Sequence, residues 1–108
     1  MKILIDENLP LKLARSFGAN HEVLSSRPMN WHGKKNGELL GLMTLGGFEA
    51  FVTMDKSLPS QQNLSKFAIT IFILRGTNNK FETLRNLIPL VLERIESGLD
   101  SGVIEISE

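Results

Sequence analysis

Apolar residues recur along this chain in two rhythms. Short runs of nearly continuous apolar character alternate with longer stretches in which apolar residues return every three or four positions. The first rhythm marks strands buried on both faces, the second helices with one covered side. "KILID" (2–6) reads as a first strand. In "LPLKLARSF" (9–17) Leu9, Leu13 and Phe17 stand four apart, which predicts a helix with Asn8 as N-cap, Pro10 in the first turn and Gly18 as the stop. "HEVLSS" (21–26) is a second strand and "RPMNWHGKKNG" (27–37) a polar loop. "ELLGLMTLG" (38–46) predicts a helix with Leu39, Leu42 and Met43 on one side and Leu45 near its end. "EAFVTMD" (49–55) is a third strand that ends in an acid, followed by a loop over 56–66. "AITIFILRG" (68–76) is the most hydrophobic strand and is expected at the centre of a sheet. "KFETLRNLIPLVLERIESG" (80–98) is the longest helix, with Leu84, Leu87, Ile88, Val91, Leu92 and Ile95 in 3-4 spacing and a kink or break at Pro89. "GVIEIS" (102–107) alternates and closes the order as an edge strand.

Strands that alternate with helices predict an α/β fold, a mainly parallel five-stranded sheet with helices on both faces. Right-handed crossovers restrict its topology, and ligands then sit at the carboxyl ends of the strands near the switch in strand order. The length of 108 residues fits one domain. Twelve basic and twelve acidic residues cancel, so a nucleic-acid role has to come from a local patch. Cysteine is absent, which excludes disulfides, a thiol nucleophile and thiolate metal ligands. Asp6 and Glu7 cut the first apolar run too short for a signal peptide, and no apolar stretch is long enough to span a bilayer. The expectation is a soluble, cytoplasmic protein without a membrane partner.

The candidate chemistry lies at strand ends. Asp6 terminates the first strand, and Asp55 follows Thr53 at the end of the third. Glu38 opens the second helix, which starts at the same edge of a parallel sheet. Topology alone therefore draws three distant carboxylates toward one edge. Converging carboxylates repel unless protons or a cation neutralise them, and the cation that suits oxygen donors and phosphate is Mg²⁺ or Mn²⁺. Such an ion polarises a phosphoryl oxygen and activates water. Each acid also has a plainer reading: Asp6 as a helix-capping acid, Glu7 and Glu38 as first-turn acids, Asn8 as N-cap and Asp55 as a turn residue. Beside Glu38, Trp31, Lys34 and Lys35 suit a single-stranded RNA backbone with a stacked base, although Trp31 suits a core edge as well. Arg75 follows the fourth strand on the same edge and is a candidate phosphate contact.

The stretches "ILIDENLP", "GELL" and "VTMD" together resemble the PIN-like nuclease superfamily, closest to a small PIN-like group whose first strand ends in Asp-Glu-Asn. More distantly they resemble the VapC-type toxins of toxin–antitoxin pairs. The resemblance spans nearly the whole chain and implies a single PIN-like domain over 1–108, a three-layer α/β/α sandwich. It implies a Mg²⁺- or Mn²⁺-dependent site that cleaves single-stranded RNA, with Asp6, Glu38 and Asp55 as catalytic metal ligands and Thr53 as the supporting hydroxyl. RNA and an antitoxin protein become candidate partners, and a homodimer a candidate assembly. Many PIN nucleases carry a further acid within a turn of the third, whereas "KSLPSQQN" has none after Asp55. Glu7 or Asn8 would then complete the metal shell, or the domain would be a binding module without catalysis. A receiver-type phosphoacceptor domain, with Asp55 phosphorylated, is a third reading, but that chemistry needs a lysine after the fifth strand and "VIEIS" supplies none.

Overall fold

The structure is a computed structural model that describes residues 1–26, 36–57, 68–98 and 102–108. Its five strands are β1 (Lys2–Ile5), β2 (Glu22–Ser25), β3 (Ala50–Thr53), β4 (Thr70–Leu74) and β5 (Gly102–Ile106). They form one sheet in the order β2-β1-β3-β4-β5, with every neighbouring pair parallel. The sheet is thus wholly parallel. β1 and β4 lie inside it and β5 lies at an edge, as the apolar patterning predicts. The central strand, however, is β3 and not β4. Both have two strand neighbours and all their residues buried, so hydrophobicity alone cannot rank them.

Between β1 and β2 runs a 3-10 helix, Leu11–Phe17, instead of an α-helix. Pro10, with an extended ψ of 136°, takes its N-cap position, and no side chain caps it. Asn8 therefore does not cap this helix. Leu9, Leu13 and Phe17 are buried as their spacing predicts. Gly18 ends the segment at φ 81° and ψ −179°, a conformation essentially confined to glycine.

Three α-helices follow: α1 (Asn36–Leu45), α2 (Phe81–Leu84) and α3 (Ile88–Glu96). Leu40 and Met43 are the residues of α1 buried against the sheet, Leu39 packs beside them, and Leu42 is only partly covered. The interruption expected at Pro89 falls at residues 85–87, and Pro89 occupies the first turn of α3. A proline ring clashes with the carbonyl four residues back, here that of Arg85, so the helix stops there and restarts where proline is tolerated.

Alternation along the strands divides the core. Ile3, Ile5, Val52, Phe72 and Leu74 face the 3-10 segment, α2 and α3 through Leu13, Leu84, Ile88 and Val91. Leu4, Phe51, Ile71 and Ile73 face α1. Both faces are covered, compatible with an α/β/α sandwich. The connections β1→β2 and β4→β5 run toward opposite edges of the sheet yet cover the same face. They must have opposite hands, and β2→β3, which covers the other face, agrees with β1→β2. The expectation of uniformly right-handed crossovers therefore fails for this sheet, in which β4→β5 has the hand opposite to the other two. Among the described residues no helix is long and apolar enough to cross a membrane.

Candidate functional site

Register brings the first two acids together. Ile5 pairs with Val52, and the Asp6 N–H donates to the Val52 carbonyl at 2.9 Å, so Asp6 and Thr53 leave adjacent strands side by side. The strand order reverses between β1 and β3, the place where open parallel sheets form a crevice at their carboxyl ends. Ile3, Leu4 and Ile5 of β1 and all four residues of β3 are buried.

Thr53 is the centre of the site. It is completely buried, and its hydroxyl donates to Asp6 Oδ2 at 2.7 Å. Thr53 Oγ1 in turn accepts the Asp55 N–H at 3.1 Å. One hydroxyl thus fixes the Asp6 carboxylate and the backbone that carries Asp55. Asp55 is exposed, and its Oδ1 accepts two hydrogen bonds from Ser57, from N–H at 2.9 Å and from Oγ at 2.6 Å. One oxygen of each carboxylate, Asp6 Oδ1 and Asp55 Oδ2, takes no hydrogen bond among the described residues.

A turn closed by the Leu9 N–H on the Asp6 carbonyl, at 2.9 Å, carries Glu7 and Asn8 past this point. Glu7 is half-buried and Asn8 exposed. The Asn8 carbonyl accepts Asn79 Nδ2 at 3.1 Å, which ties the loop after β4 to the loop after β1.

Glu38 stands exposed in the first turn of α1. That helix packs on the face of Leu4 and Phe51, the face to which alternation assigns Asp6 and Thr53 as well. Glu38 therefore shares their face and their end of the sheet. Yet among the described residues no three Asp, Glu, His or Cys side chains gather closely enough to hold an ion. Hydrogen bonds join Asp6, Thr53 and the backbone of Asp55; Glu38 takes no part in them. Arg75 lies just past β4, and its guanidinium pairs with Glu105 of β5 at 2.7 Å, both side chains being well exposed. It borders a cleft of about 430 Å³ whose lining also includes Glu82 and Glu108, so the cleft is not basic. Trp31, Lys34 and Lys35 lie outside the described residues.

Two participants escaped the sequence reading. Ser57 was legible, because an Asp followed two residues later by Ser is a familiar local hydrogen-bonding pattern. Glu105 as the partner of Arg75 was not, because it requires the pairing of β4 with β5. No family model, curated protein or solved structure matches the chain.

Proposed function

We propose that the chain is a PIN-like domain acting as a cytoplasmic, metal-dependent ribonuclease on single-stranded RNA, as the toxin of a toxin–antitoxin pair. The observation that carries this reading is the buried Thr53 hydroxyl, which joins a strand-end carboxylate to the backbone of a second one at the switch point of a parallel sheet. The donor set fits Mg²⁺ or Mn²⁺. Both side chains offer hard carboxylate oxygens, each with one oxygen left open among the described residues. Mg²⁺ commonly binds to one or two carboxylates, completing its shell with water and substrate phosphate, so a third nearby acid is not required before RNA arrives.

In this reading Asp6 and Asp55 hold the ion, Thr53 keeps them in position, and Glu38 approaches from α1. Glu7 and Asn8 are the remaining oxygen donors on the same loop. A bound ion would polarise a phosphoryl oxygen and lower the pKa of a water molecule. Lys34 and Lys35 bind phosphate, Trp31 stacks on a base, and Arg75 reaches phosphate once released from Glu105.

The test incubates purified protein with labelled single-stranded RNA in Mn²⁺ or in EDTA. Cleavage is expected only with Mn²⁺ and is lost in Asp6→Asn, which keeps an acceptor for the Thr53 hydroxyl and should fold normally. Cleavage that survives EDTA overturns the metal reading. RNA binding without cleavage and without Mn²⁺ binding would favour a non-catalytic module. That second reading is supported by Ser57, a neutral residue within the turn after Asp55.

A further inference from the structure

We infer that the outer edge of β5 is a docking site for an extended segment of a partner protein in which basic residues alternate with apolar ones. β5 ends the sheet, and among the described residues no strand pairs with its outer side. Its inner side is accounted for. The Gly102 N–H donates to the Ile69 carbonyl at 3.4 Å, and the Arg75 N–H donates to the Ile106 carbonyl at 2.9 Å. In a parallel ladder alternate residues make both bonds to the neighbouring strand, so Gly102, Ile104 and Ile106 serve β4. Val103 and Glu105 then turn their N–H and C=O groups outward, a template for a further strand.

Two clefts follow this edge and meet at Ser107. One, of about 260 Å³, lies between α3 and β5, with Leu90, Glu93 and Arg94 on one side and Glu105, Ile106 and Ser107 on the other. The second is the cleft of about 430 Å³ past the end of β5, where Glu82 and Glu108 join Arg75. A strand laid beside β5 points its side chains alternately to the two faces of the sheet. One set enters the cleft beside α3. The other set lies next to Val103, which is 37% exposed, and gains by being apolar. Charge decides the first set. Arg75 is paired with Glu105 at 2.7 Å, which leaves Glu82, Glu93 and Glu108 against Arg94 along the two clefts. An acidic groove selects a basic segment. A second copy of this chain fits poorly, because two-fold pairing across β5 sets the same acidic groove beside itself.

The experiment titrates the full chain into a fluorescein-labelled peptide of alternating lysine and valine, read by anisotropy at low salt, and maps the contact by amide NMR. A glutamate–valine peptide and a fully N-methylated lysine–valine peptide are the controls; the second keeps the charges but has no N–H to donate. The lysine–valine peptide should bind and shift the amide signals of Val103 and Glu105. The glutamate–valine peptide should not bind, and N-methylation should cost about tenfold or more in affinity. Val103→Pro should abolish binding, since its N–H points away from β4 and the ladder survives without it. Its melting temperature is recorded, and Glu82→Gln combined with Glu93→Gln tests the same edge without touching the strand. That pair should weaken binding about fivefold. No binding overturns the proposal. Equal binding of the N-methylated peptide, or shifts centred on Asp6 and Asp55, shows charge attraction without strand addition and overturns it as well. Binding indifferent to the two glutamine substitutions removes the preference for a basic partner. A dimer in sedimentation that Val103→Pro dissociates would give the edge to a second copy instead.

Discussion

Replacing Thr53 by valine tests the centre of the site, because the two side chains have nearly the same shape and differ by a hydroxyl against a methyl. Thr53 is fully buried, so no water can take the place of its hydroxyl. The lost bond to Asp6 ends on a carboxylate, and hydrogen bonds to charged groups contribute about 1.5–3 kcal/mol. Asp6 is only partly buried, so solvent reaches its carboxylate in the variant and moves the cost toward the lower figure. The Asp55 N–H also loses its acceptor, but Asp55 is exposed and water can replace it at little cost. The added buried methyl returns about 0.8 kcal/mol. The net expectation is a destabilisation of about 1 kcal/mol.

Thr53→Ser gives the control. It removes a buried methyl at about 1 kcal/mol and keeps both hydrogen bonds. The two variants should thus lose comparable stability in urea titration, with m-values equal to that of the wild type. They should differ in what they do to the acids. Thr53→Ser should retain Mn²⁺ binding, whereas Thr53→Val should lose about 10–100-fold. A Thr53→Val protein as stable as wild type would show that the hydroxyl contributes nothing net to the fold. Equal Mn²⁺ affinities in the two variants would refute the view that this hydroxyl organises the site.

Three further outcomes are expected. Glu105→Gln removes the charge that holds the Arg75 guanidinium; stability should change by less than about 1 kcal/mol, since the pair is exposed, while RNA binding in filter assays tightens at low salt. Unchanged binding would remove Arg75 from the RNA surface. Lys34→Ala combined with Lys35→Ala should weaken RNA binding and flatten the slope of log affinity against log salt by about 0.7 for each phosphate no longer neutralised; an unaltered slope would exclude both lysines. Gly18→Ala forces a side chain into φ 81° and ψ −179° and should cost about 1–3 kcal/mol in urea titration, a wild-type midpoint showing that the turn rearranges freely.

Much of the architecture was legible because buried parallel strands leave a strong mark. The alternation of apolar runs and helical spacing places the strands in their observed sequence, and the exposed Val103 and Glu105 identify β5 as an edge. Helix detail was less legible where the pattern is ambiguous. In α1 leucines occur on nearly every side, so Leu42 could not be told from Leu40 until the sheet selected a face. The hand of the β4→β5 connection depends on α2 and α3 packing against the 3-10 segment, a tertiary choice with no local signature. For the site, Asp6 and Asp55 were legible as sharing one sheet edge, because each follows the carboxyl end of a parallel strand; the bond from Thr53 to Asp6 was not, since it depends on the pairing of β1 with β3. The distance of Glu38 from these acids was not legible either, since a sheet edge specifies a side of the molecule and not a distance.

That opposite-handed connection shapes how the site can be approached. By covering the same face as the 3-10 segment, it carries the loop after β4 to the loop after β1, and Asn79 Nδ2 joins the Asn8 carbonyl at 3.1 Å. On that side the loop after β4 is tied to the loop that follows Asp6. The opposite flank belongs to the face of α1, where alternation places the side chains of Asp6 and Thr53. The connection from the carboxyl end of β2 into α1 carries Trp31, Lys34 and Lys35, and Glu38 follows in the first turn of that helix. Glu38 thus stands on the flank that Asn79 leaves open. The ribonuclease reading therefore assigns substrate entry to the α1 face. An Asn79→Ala variant tests this assignment: it should lower stability slightly and leave RNA affinity unchanged in filter binding. A large loss of RNA affinity would place the substrate on the 3-10 face instead.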